Sequence, residues 1–360
     1  MRSLQSLTVS PDTTVNEALD RLDKSEVRIV AIVDGSGRLV GSLTDGDVRR
    51  GLLRNVPLSA AVSEVMNASP VTKPGGIGWP EALDTMSRHR VWQLLLVDDD
   101  GRLQGIVTSR GQAVGIELGI RPQRAVEGDH NVPVVILAGG LGTRLHPLTE
   151  SAPKPLLPVG DRPLLETIVQ GLARQGFRRI YMSVNYKADM IVNHFGDGTG
   201  FDVNIHYLHE DKRLGTAGSL SLLPDGLQAP VIVLNGDVLT AVDYRHLLDF
   251  HLESHCAATM CVRPYNTHIP YGIVEIERDQ VIALKEKPQY TYFINAGIYV
   301  LDAGTLSEVP YGEFFDMPQL INKIIDSNKT VRAFPIREYW LDIGRKEDYE
   351  QAQSDIRNIE

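Results

Sequence analysis

In Val132-Pro133-Val134-Val135-Ile136-Leu137-Ala138-Gly139-Gly140-Leu141-Gly142-Thr143-Arg144-Leu145, an uncharged apolar run breaks directly into glycine. Val132–Leu137 reads as a short buried parallel strand. Glycines placed straight after such a strand let the backbone approach a phosphate chain. Their N–H groups can point at the anion, and glycine tolerates the φ > 0 this needs. The spacing is neither Gly-x-Gly-x-x-Gly nor a Walker A loop. The usual loop lysine is absent, and Arg144 supplies the cation. The continuation adds Leu145-His146-Pro147-Leu148-Thr149, then Pro153-Lys154-Pro155-Leu156-Leu157-Pro158-Val159. Prolines on both sides of Lys154 fix their own φ and restrict the residue before them, which holds the root of a flexible side chain still.

The combined string resembles the signature of sugar-1-phosphate nucleotidylyltransferases. The resemblance implies that Leu137, Ala138, Gly139, Gly140, Gly142 and Thr143 surround a nucleoside triphosphate. Arg144 would meet the leaving pyrophosphate, and Lys154 would lie nearer the α-phosphate. Past the apolar run Val231–Leu234 comes Asn235-Gly236-Asp237, and much later Trp340-Leu341-Asp342-Ile343-Gly344. Carboxylates are natural hard-oxygen ligands for Mg²⁺. By resemblance Asp237 and Asp342 hold that ion, and Arg144, Lys154 and Asp237 are catalytic. Leu214-Gly215-Thr216-Ala217-Gly218 is similar to the base and ribose stretch of mannose-1-phosphate guanylyltransferases, so Gly215, Thr216, Ala217 and Gly218 are expected at the nucleotide. Tyr271-Gly272-Ile273-Val274, Glu286-Lys287-Pro288 and Asn295-Ala296-Gly297-Ile298-Tyr299 resemble the sugar-phosphate side. There Lys287 would meet the phosphate, Glu286 and Asn295 the hydroxyls, and Gly272 would leave room for the ring. Arg345-Lys346 depart from the family, where Thr-Pro is frequent.

Beyond these motifs the domain alternates strands and helices. Ile180–Val184, Val203–Tyr207 and Val231–Leu234 read as strands, and Leu164–Gln175 and Tyr244–Glu253 as helices. That pattern predicts an α/β fold, Rossmann-like, with a mixed but mainly parallel sheet. Ligands in such sheets bind at the carboxyl ends of strands. His251, His255, Cys256 and Cys261 invite a zinc reading. The helical pattern ends near Ser254, however, and Cys256–Val262 reads as a strand, so two buried cysteines and a wet helix face are expected instead.

The first third of the chain repeats at an offset of 64 residues. Glu17-Ala18-Leu19-Asp20 recurs as Glu81-Ala82-Leu83-Asp84, Val33-Asp34 as Val97-Asp98, Gly37-Arg38-Leu39 as Gly101-Arg102-Leu103, Gly41 as Gly105 and Thr44 as Thr108. Each copy reads as helix, strand, tight turn, strand, then a helix capped by Thr44 or Thr108. The strands are Arg28–Val33 and 39–43 in the first copy, Trp92–Val97 and 103–107 in the second.

This repeat resembles a tandem CBS-domain pair, a module that often binds adenosine nucleotides through Gly-x-x-Thr/Ser-x-x-Asp. Gly41-Ser42-Leu43-Thr44-Asp45-Gly46-Asp47 fits, and implies a regulatory nucleotide at Thr44 and Asp47. The second copy has Gly111 where the acid belongs, so at most one well-formed ribose site is expected. The alternative is that Thr44 and Asp47 only cap a helix and the pair is a dimerising spacer. The expected organisation is a CBS pair over residues 1–118 (repeats near 4–55 and 68–118), a linker over 119–131 and a nucleotidyltransferase domain over 132–360.

Composition agrees with two soluble domains. The chain has 360 residues, 42% apolar and 23% charged, with a net charge of -10. An acidic chain without a Lys/Arg run is a poor match for nucleic acid. Two cysteines make no disulfide framework, the start lacks an apolar signal core, and no stretch approaches a membrane helix. A cytoplasmic, homo-oligomeric enzyme is expected, oligomeric through the CBS pair. The expected reaction joins a nucleoside triphosphate to a sugar 1-phosphate, releasing pyrophosphate. A CBS pair ahead of this transferase domain also looks like the glucosamine-1-phosphate guanylyltransferases of legionaminic acid pathways. GTP and glucosamine 1-phosphate are therefore the first expectation, with UTP or dTTP next. A regulatory pseudo-enzyme is the reading from another class.

Overall fold

A computed structural model of the chain describes residues 4–89, 91–109, 112–116 and 132–356. It divides into two units, Met1–Gly128 and Asp129–Glu360. The predicted linker 119–131, together with Arg110 and Gly111, lies outside the described residues.

The first unit contains β1 (Thr8–Val9), α1 (Val15–Asp23), β2 (Val30–Val33), β3 (Leu39–Leu43) and α2 (Asp45–Leu53), then β4 (Thr72–Pro74), α3 (Trp79–His89), β5 (Gln93–Val97), β6 (Leu103–Thr108) and β7 (Ala113–Val114). Two sheets result, β1-β2-β3 and β4-β5-β6-β7. The repeat extends to the register. β2–β3 and β5–β6 are both antiparallel and shift at equivalent places, between Ile32 and Val33 and between Leu96 and Val97. The hairpin tips exchange bonds about a near-twofold axis. Leu39 N donates to Gly101 O at 2.9 Å and Leu103 N to Gly37 O at 3.3 Å. Leu7, Val27, Ile29, Ala31, Leu95 and Ile106 form a buried cluster joining the two copies.

The copies part company after their second strands. Thr44 opens α2 as expected, with Thr44 N donating to Asp47 Oδ2 at 2.8 Å. Thr108 does not open a helix. It ends β6, its Oγ1 accepts from Gln112 N at 3.2 Å, and the chain returns as β7, antiparallel to β6. The position of Asp47 is taken by Gly111, which has no carboxylate to close a capping box.

The second unit contains β8 (Val134–Leu137), β9 (Pro158–Val159), β10 (Arg162–Pro163), α4 (Leu164–Arg174), β11 (Arg179–Val184), α5 (Ala188–Phe195), β12 (Asn204–His209), α6 (Gly215–Gly218), β13 (Val231–Asn235), β14 (Val238–Thr240), α7 (Tyr244–Ser254), β15 (Ala258–His268), β16 (Ile273–Glu277), β17 (Gln280–Lys285), β18 (Gln289–Leu301), α8 (Met317–Asp326), β19 (Val331–Pro335), β20 (Trp340–Asp342) and α9 (Lys346–Asp355). Seven strands form the main sheet in the order β12-β11-β8-β13-β18-β15-β19. Only β18 runs against its neighbours. The mainly parallel α/β fold is as expected.

Alternation along the central strands explains the layers. Val134 and Ile136 of β8, with Ile232 and Leu234 of β13, enter one core under α4 and α7. Val135, Val231 and Val233 face the other way, against α8 and α6. Both faces are covered, so these strands carry no polar face. β8 lies between β11, the next strand, and β13, reached later. The order therefore switches at β8, and the crevice beyond the carboxyl ends of β8 and β13 is where such a sheet binds ligands.

Candidate active site

The glycine loop leaves β8 into that crevice. Ala138 N donates to Ser183 O at 2.9 Å, which ties the loop to β11. Gly140 is open, with nothing within 4 Å of where a Cβ would stand. Gly142 has φ +65°, and a Cβ there would lie 2.9 Å from Thr149 Cγ2 and 3.0 Å from Lys154 Cβ. Buried Thr149 donates to Gly142 O at 2.9 Å. Thr143–Leu145 then makes one 3-10 turn that presents Arg144.

Lys154 begins a second 3-10 turn behind Pro153. Its side chain is buried, and Nζ stands 2.5 Å from Asp237 Oδ2. Asp237 follows β13 by one tight turn. Gly236 N donates to Leu137 O at 2.9 Å, and a Cβ on Gly236 would press on that same oxygen. This brings the Asn-Gly-Asp turn against the root of the glycine loop. A small antiparallel ladder supplies the second acid: β14 pairs β20 with Val238 opposite Asp342, and Ile343 N donates to Asp237 O at 3.0 Å. On the far side, a Cβ on Gly344 would lie 3.4 Å from Arg144 Nη1. Arg144, Lys154, Asp237 and Asp342 are thus one cluster.

Burial and the charge of Asp237 raise the Asp342 carboxyl above its ordinary value, while Lys154 and Arg144 pull it back. Asp342 Oδ1 is buried without a hydrogen-bond partner among the described residues. Two carboxylates held together, one with an orphaned oxygen, suit a hard divalent cation. Mg²⁺ characteristically takes one or two protein carboxylates and completes its shell with water and substrate phosphates. The described residues contain no group of three or more His, Cys, Asp or Glu placed to hold a metal, so a protein-only cage is not what they offer.

The stretch expected at the base packs on one side against chain 313–316. Gly215 has φ +79°, and a Cβ there would meet Phe315 O and Asp316 Oδ1 at 2.7 Å. One on Gly218 would meet Glu313 O at 2.5 Å. Ala217 N and Gly218 N both donate to Phe315 O, and Thr216 N donates to Asp316 Oδ1 at 2.9 Å. The smallness of Gly215 and Gly218 makes room for chain 313–316.

Glu210 was not singled out from the sequence. Its Oε1 accepts from Ser183 Oγ, its Oε2 accepts from Leu214 N at 2.9 Å, and a Cβ on Gly139 would lie 3.1 Å from Oε1. It therefore bridges the glycine loop and the Leu214 turn. Asn235 was also missed. It lies beneath Gly297, whose Cβ would sit 2.5 Å from Asn235 Nδ2. Asn235 opens the Asn-Gly-Asp motif and could have been found from it, whereas Glu210 carries no local pattern and only the sheet order brings it to the crevice.

On the sugar-phosphate side, Gly272 and Glu286 meet: a Cβ on Gly272 would stand 3.0 Å from Glu286 Oε2. Lys287 is exposed, with φ +43°, and makes no hydrogen bond or ion pair among the described residues. Asn295 donates to Tyr299 OH at 2.5 Å and accepts from Gly297 N at 3.0 Å. Arg345-Lys346 open α9, with Arg345 N donating to Asp348 Oδ2 at 2.8 Å, so the departure from Thr-Pro keeps a capped helix start.

In the first unit Asp47 is buried and occupied. Oδ2 accepts from Thr44 N and Oγ1, and Oδ1 stands 2.5 Å from Arg50 Nη2. The cysteines are buried as expected, but the helix face expected to be wet is not so at His251, which is buried. His251, Cys256 and Thr259 form a small buried cluster, with His251 Nδ1 3.0 Å from Thr259 Oγ1 and 3.5 Å from Cys256 Sγ. Burial holds the His251 imidazole below its ordinary pKa, and His255 ends α7 in the left-handed region.

Residues 133–359 match the nucleotidyl transferase family, and residues 1–54 and 62–111 each match the CBS domain. The chain belongs to the nucleotidyl transferases and carries a CBS pair ahead of the transferase domain. It is 33% identical over 233 residues to the mannose-1-phosphate guanylyltransferase of Mycobacterium tuberculosis, covering 63% of this chain and 65% of that one. It is 30% identical over 226 residues to the D-glycero-alpha-D-manno-heptose 1-phosphate guanylyltransferase of Aneurinibacillus thermoaerophilus, covering 62% of this chain and 98% of that one. A UTP--glucose-1-phosphate uridylyltransferase of Synechocystis is 30% identical over 251 residues, covering 63% and 65%. Among solved structures, HddC from Yersinia pseudotuberculosis complexed with GMP-PN aligns with a TM-score of 0.50 and 29% identity, over 62% of this chain and 99% of that one. The chain thus spans less than two thirds of the mannose and glucose enzymes. No described helix is long and apolar enough to cross a membrane.

Proposed function

We propose that this chain transfers a nucleoside monophosphate from a nucleoside triphosphate to a sugar 1-phosphate. A phosphate oxygen of the sugar attacks the α-phosphate, the bond to the β-phosphate oxygen breaks, and pyrophosphate leaves. The nucleophile is already an anion, so no base is required. The barrier lies in bringing two polyanions together and stabilising the transferring group, which positioning and fixed charge supply. The observation that carries this reading is the single cluster of Arg144, Lys154, Asp237 and Asp342 beyond β8 and β13. Asp237 and Asp342 would hold Mg²⁺, which neutralises phosphate charge and templates the reactants. Lys154, rooted rigidly and buried, meets the α-phosphate, and Arg144 the pyrophosphate. Lys287, unpaired and exposed, anchors the acceptor phosphate beside Gly272, Glu286 and Asn295.

GTP is the favoured donor. An ionised carboxylate only accepts hydrogen bonds, and the edge of guanine presents two adjacent donors, N1–H and N2–H. Glu210, between the phosphate loop and Leu214, suits that edge. Uracil and thymine place one donor between two acceptors. The guanylyltransferase relatives agree with this preference, while the uridylyltransferase relative supports UTP or dTTP as the second reading. Glucosamine 1-phosphate is the first acceptor proposed. The CBS pair would tune the transferase by binding a nucleotide at Thr44 and Asp47, or build a homo-oligomer.

The test is pyrophosphate release with Mg²⁺, crossing GTP, UTP, CTP, ATP and dTTP against glucosamine, N-acetylglucosamine, glucose and mannose 1-phosphates. A GTP-dependent signal with one sugar is expected. Activity with UTP or dTTP alone corrects the base and keeps the mechanism. Silence across the grid, from folded protein, overturns the proposed substrates and favours the pseudo-enzyme.

A further inference from the structure

Near its end β11 carries a hydroxyl where a strand covered on both faces would carry an apolar side chain. Ser183 lies between Leu137 of β8 and Leu208 of β12 in the sheet register, and only 1% of it is exposed. Burying a hydroxyl costs free energy unless it is hydrogen-bonded. Among the described residues Ser183 Oγ has one partner, Glu210 Oε1, to which it donates. The main chain of Glu210 is fixed without that bond. Glu210 N donates to Val184 O at 3.0 Å, and Asn185 Nδ2 donates to Glu210 O at 2.6 Å. The side chain is what remains to be ordered, and its last torsion is intrinsically soft. Two donors settle it: Leu214 N holds Oε2 at 2.9 Å, and Ser183 Oγ holds Oε1.

We propose that Ser183 is a positioning residue for base selection, its hydroxyl locking the Glu210 carboxylate in the orientation that admits guanine and rejects uracil and thymine. The inference rests on the reading of Glu210 as the side chain that meets the base edge. An ionised carboxylate only accepts hydrogen bonds. Held still, it offers its remaining lone pairs to N1–H and N2–H of guanine with little side-chain freedom left to lose. Held still, it also cannot turn away from the carbonyl oxygens of uracil or thymine, and acceptor then faces acceptor. Specificity is the difference between those two terms, and both require a carboxylate that does not swing. The Leu214 amide alone would leave Oε1 free to rotate about the bond that Oε2 makes. The Ser183 hydroxyl removes that freedom from within the sheet, where it is too deeply buried to meet a substrate itself.

Pyrophosphate release by the full chain, with the acceptor held fixed, tests this through the ratio of kcat/KM for GTP to that for UTP. Ser183→Ala removes the donor, adds no atoms, and keeps the backbone bond from Ala138 N to Ser183 O. It is expected to lower the ratio at least about tenfold, the low end for one hydrogen bond to a charged group, and to leave KM for the sugar 1-phosphate in place. In a Glu210→Ala background the same change is expected to have no further effect on the ratio, because no carboxylate is left to hold. A role in packing alone would lower both nucleotides together, or persist without Glu210; either result overturns the inference. A ratio that Glu210→Ala lowers and Ser183→Ala does not also overturns it, while keeping Glu210 as the base reader. A ratio that neither variant moves overturns both.

Discussion

Two glycines of one loop should respond in opposite ways to the same added methyl group. At Gly142 the backbone is left-handed, which costs an alanine roughly 1–2 kcal/mol. Its Cβ would also stand 2.9 Å from Thr149 Cγ2 and 3.0 Å from Lys154 Cβ. Thr149 is fully buried and bonded to Gly142 itself, and Lys154 is held by Pro153 and Asp237, so neither yields cheaply. Overpacking of this kind adds roughly 1–3 kcal/mol. Gly142→Ala should therefore cost about 2–5 kcal/mol and lower the unfolding temperature of this unit by on the order of 5–15 °C. The root of Lys154 is pushed as well, and a small misplacement can cost about 10²-fold in turnover. Gly140→Ala meets nothing within 4 Å and needs no positive φ. It should unfold within about 1 kcal/mol of wild type, yet raise KM for the nucleotide, because the open side of Gly140 is where the triphosphate would lie. Calorimetry and pyrophosphate release on both variants read the two effects separately. Equal stability of the two variants would refute the steric argument, and an unchanged nucleotide KM in Gly140→Ala would remove the phosphate from that side of the loop.

Asp342→Asn should stabilise the metal-free chain at neutral pH. The raised carboxyl binds its proton more readily folded than unfolded, so wild-type stability falls as pH rises from the ordinary carboxylate range through the raised value. The variant's advantage should vanish below the ordinary carboxylate range, about pH 4, and grow as pH rises through the raised value, and Mg²⁺ should stabilise wild type alone; parallel stability curves for the two proteins contradict this. Asp237→Asn and Arg144→Ala should each lower turnover by about 10²–10³-fold with the fold retained, and wild-type rates in both would refute the site. Glu210→Gln should cut the preference for GTP over UTP at least about tenfold. A base preference that does not move would place the guanine reader elsewhere.

Much of this site was legible because its pieces are local. The strand and its glycine loop read directly, since an apolar strand feeding glycines is a short-range pattern, and β8 with its loop is found there. The N-cap at Thr44 is equally local, its partner being three residues on. The pairing of Asp237 with Asp342 is not local. It depends on the β14–β20 ladder between distant segments, and no periodicity announces it; resemblance alone supplied it. The helix expected after Thr108 failed for a reason that the sequence contains. The offset of 64 puts glycine where copy one has the capping carboxylate, and without that carboxylate the chain turned back into a strand.

Small residues admit two uses. A Leu-Gly-Thr-Ala-Gly run can be small so that a ligand fits, or so that the chain itself fits. At Gly215 and Gly218 the occupant is chain 313–316, at distances that no side chain could share. At Gly140 no atom of the described residues takes the space. The difference lies in what stands opposite, which sequence does not record. Base selection can also be sought in a side chain that faces the crevice. Glu210 meets that requirement: it touches the loop that would cradle phosphate and the turn that opens the run. Its two oxygens already accept a hydroxyl and an amide, which fixes the carboxylate in place. Each oxygen keeps a further lone-pair site, so a donor edge of guanine can be read without breaking either bond.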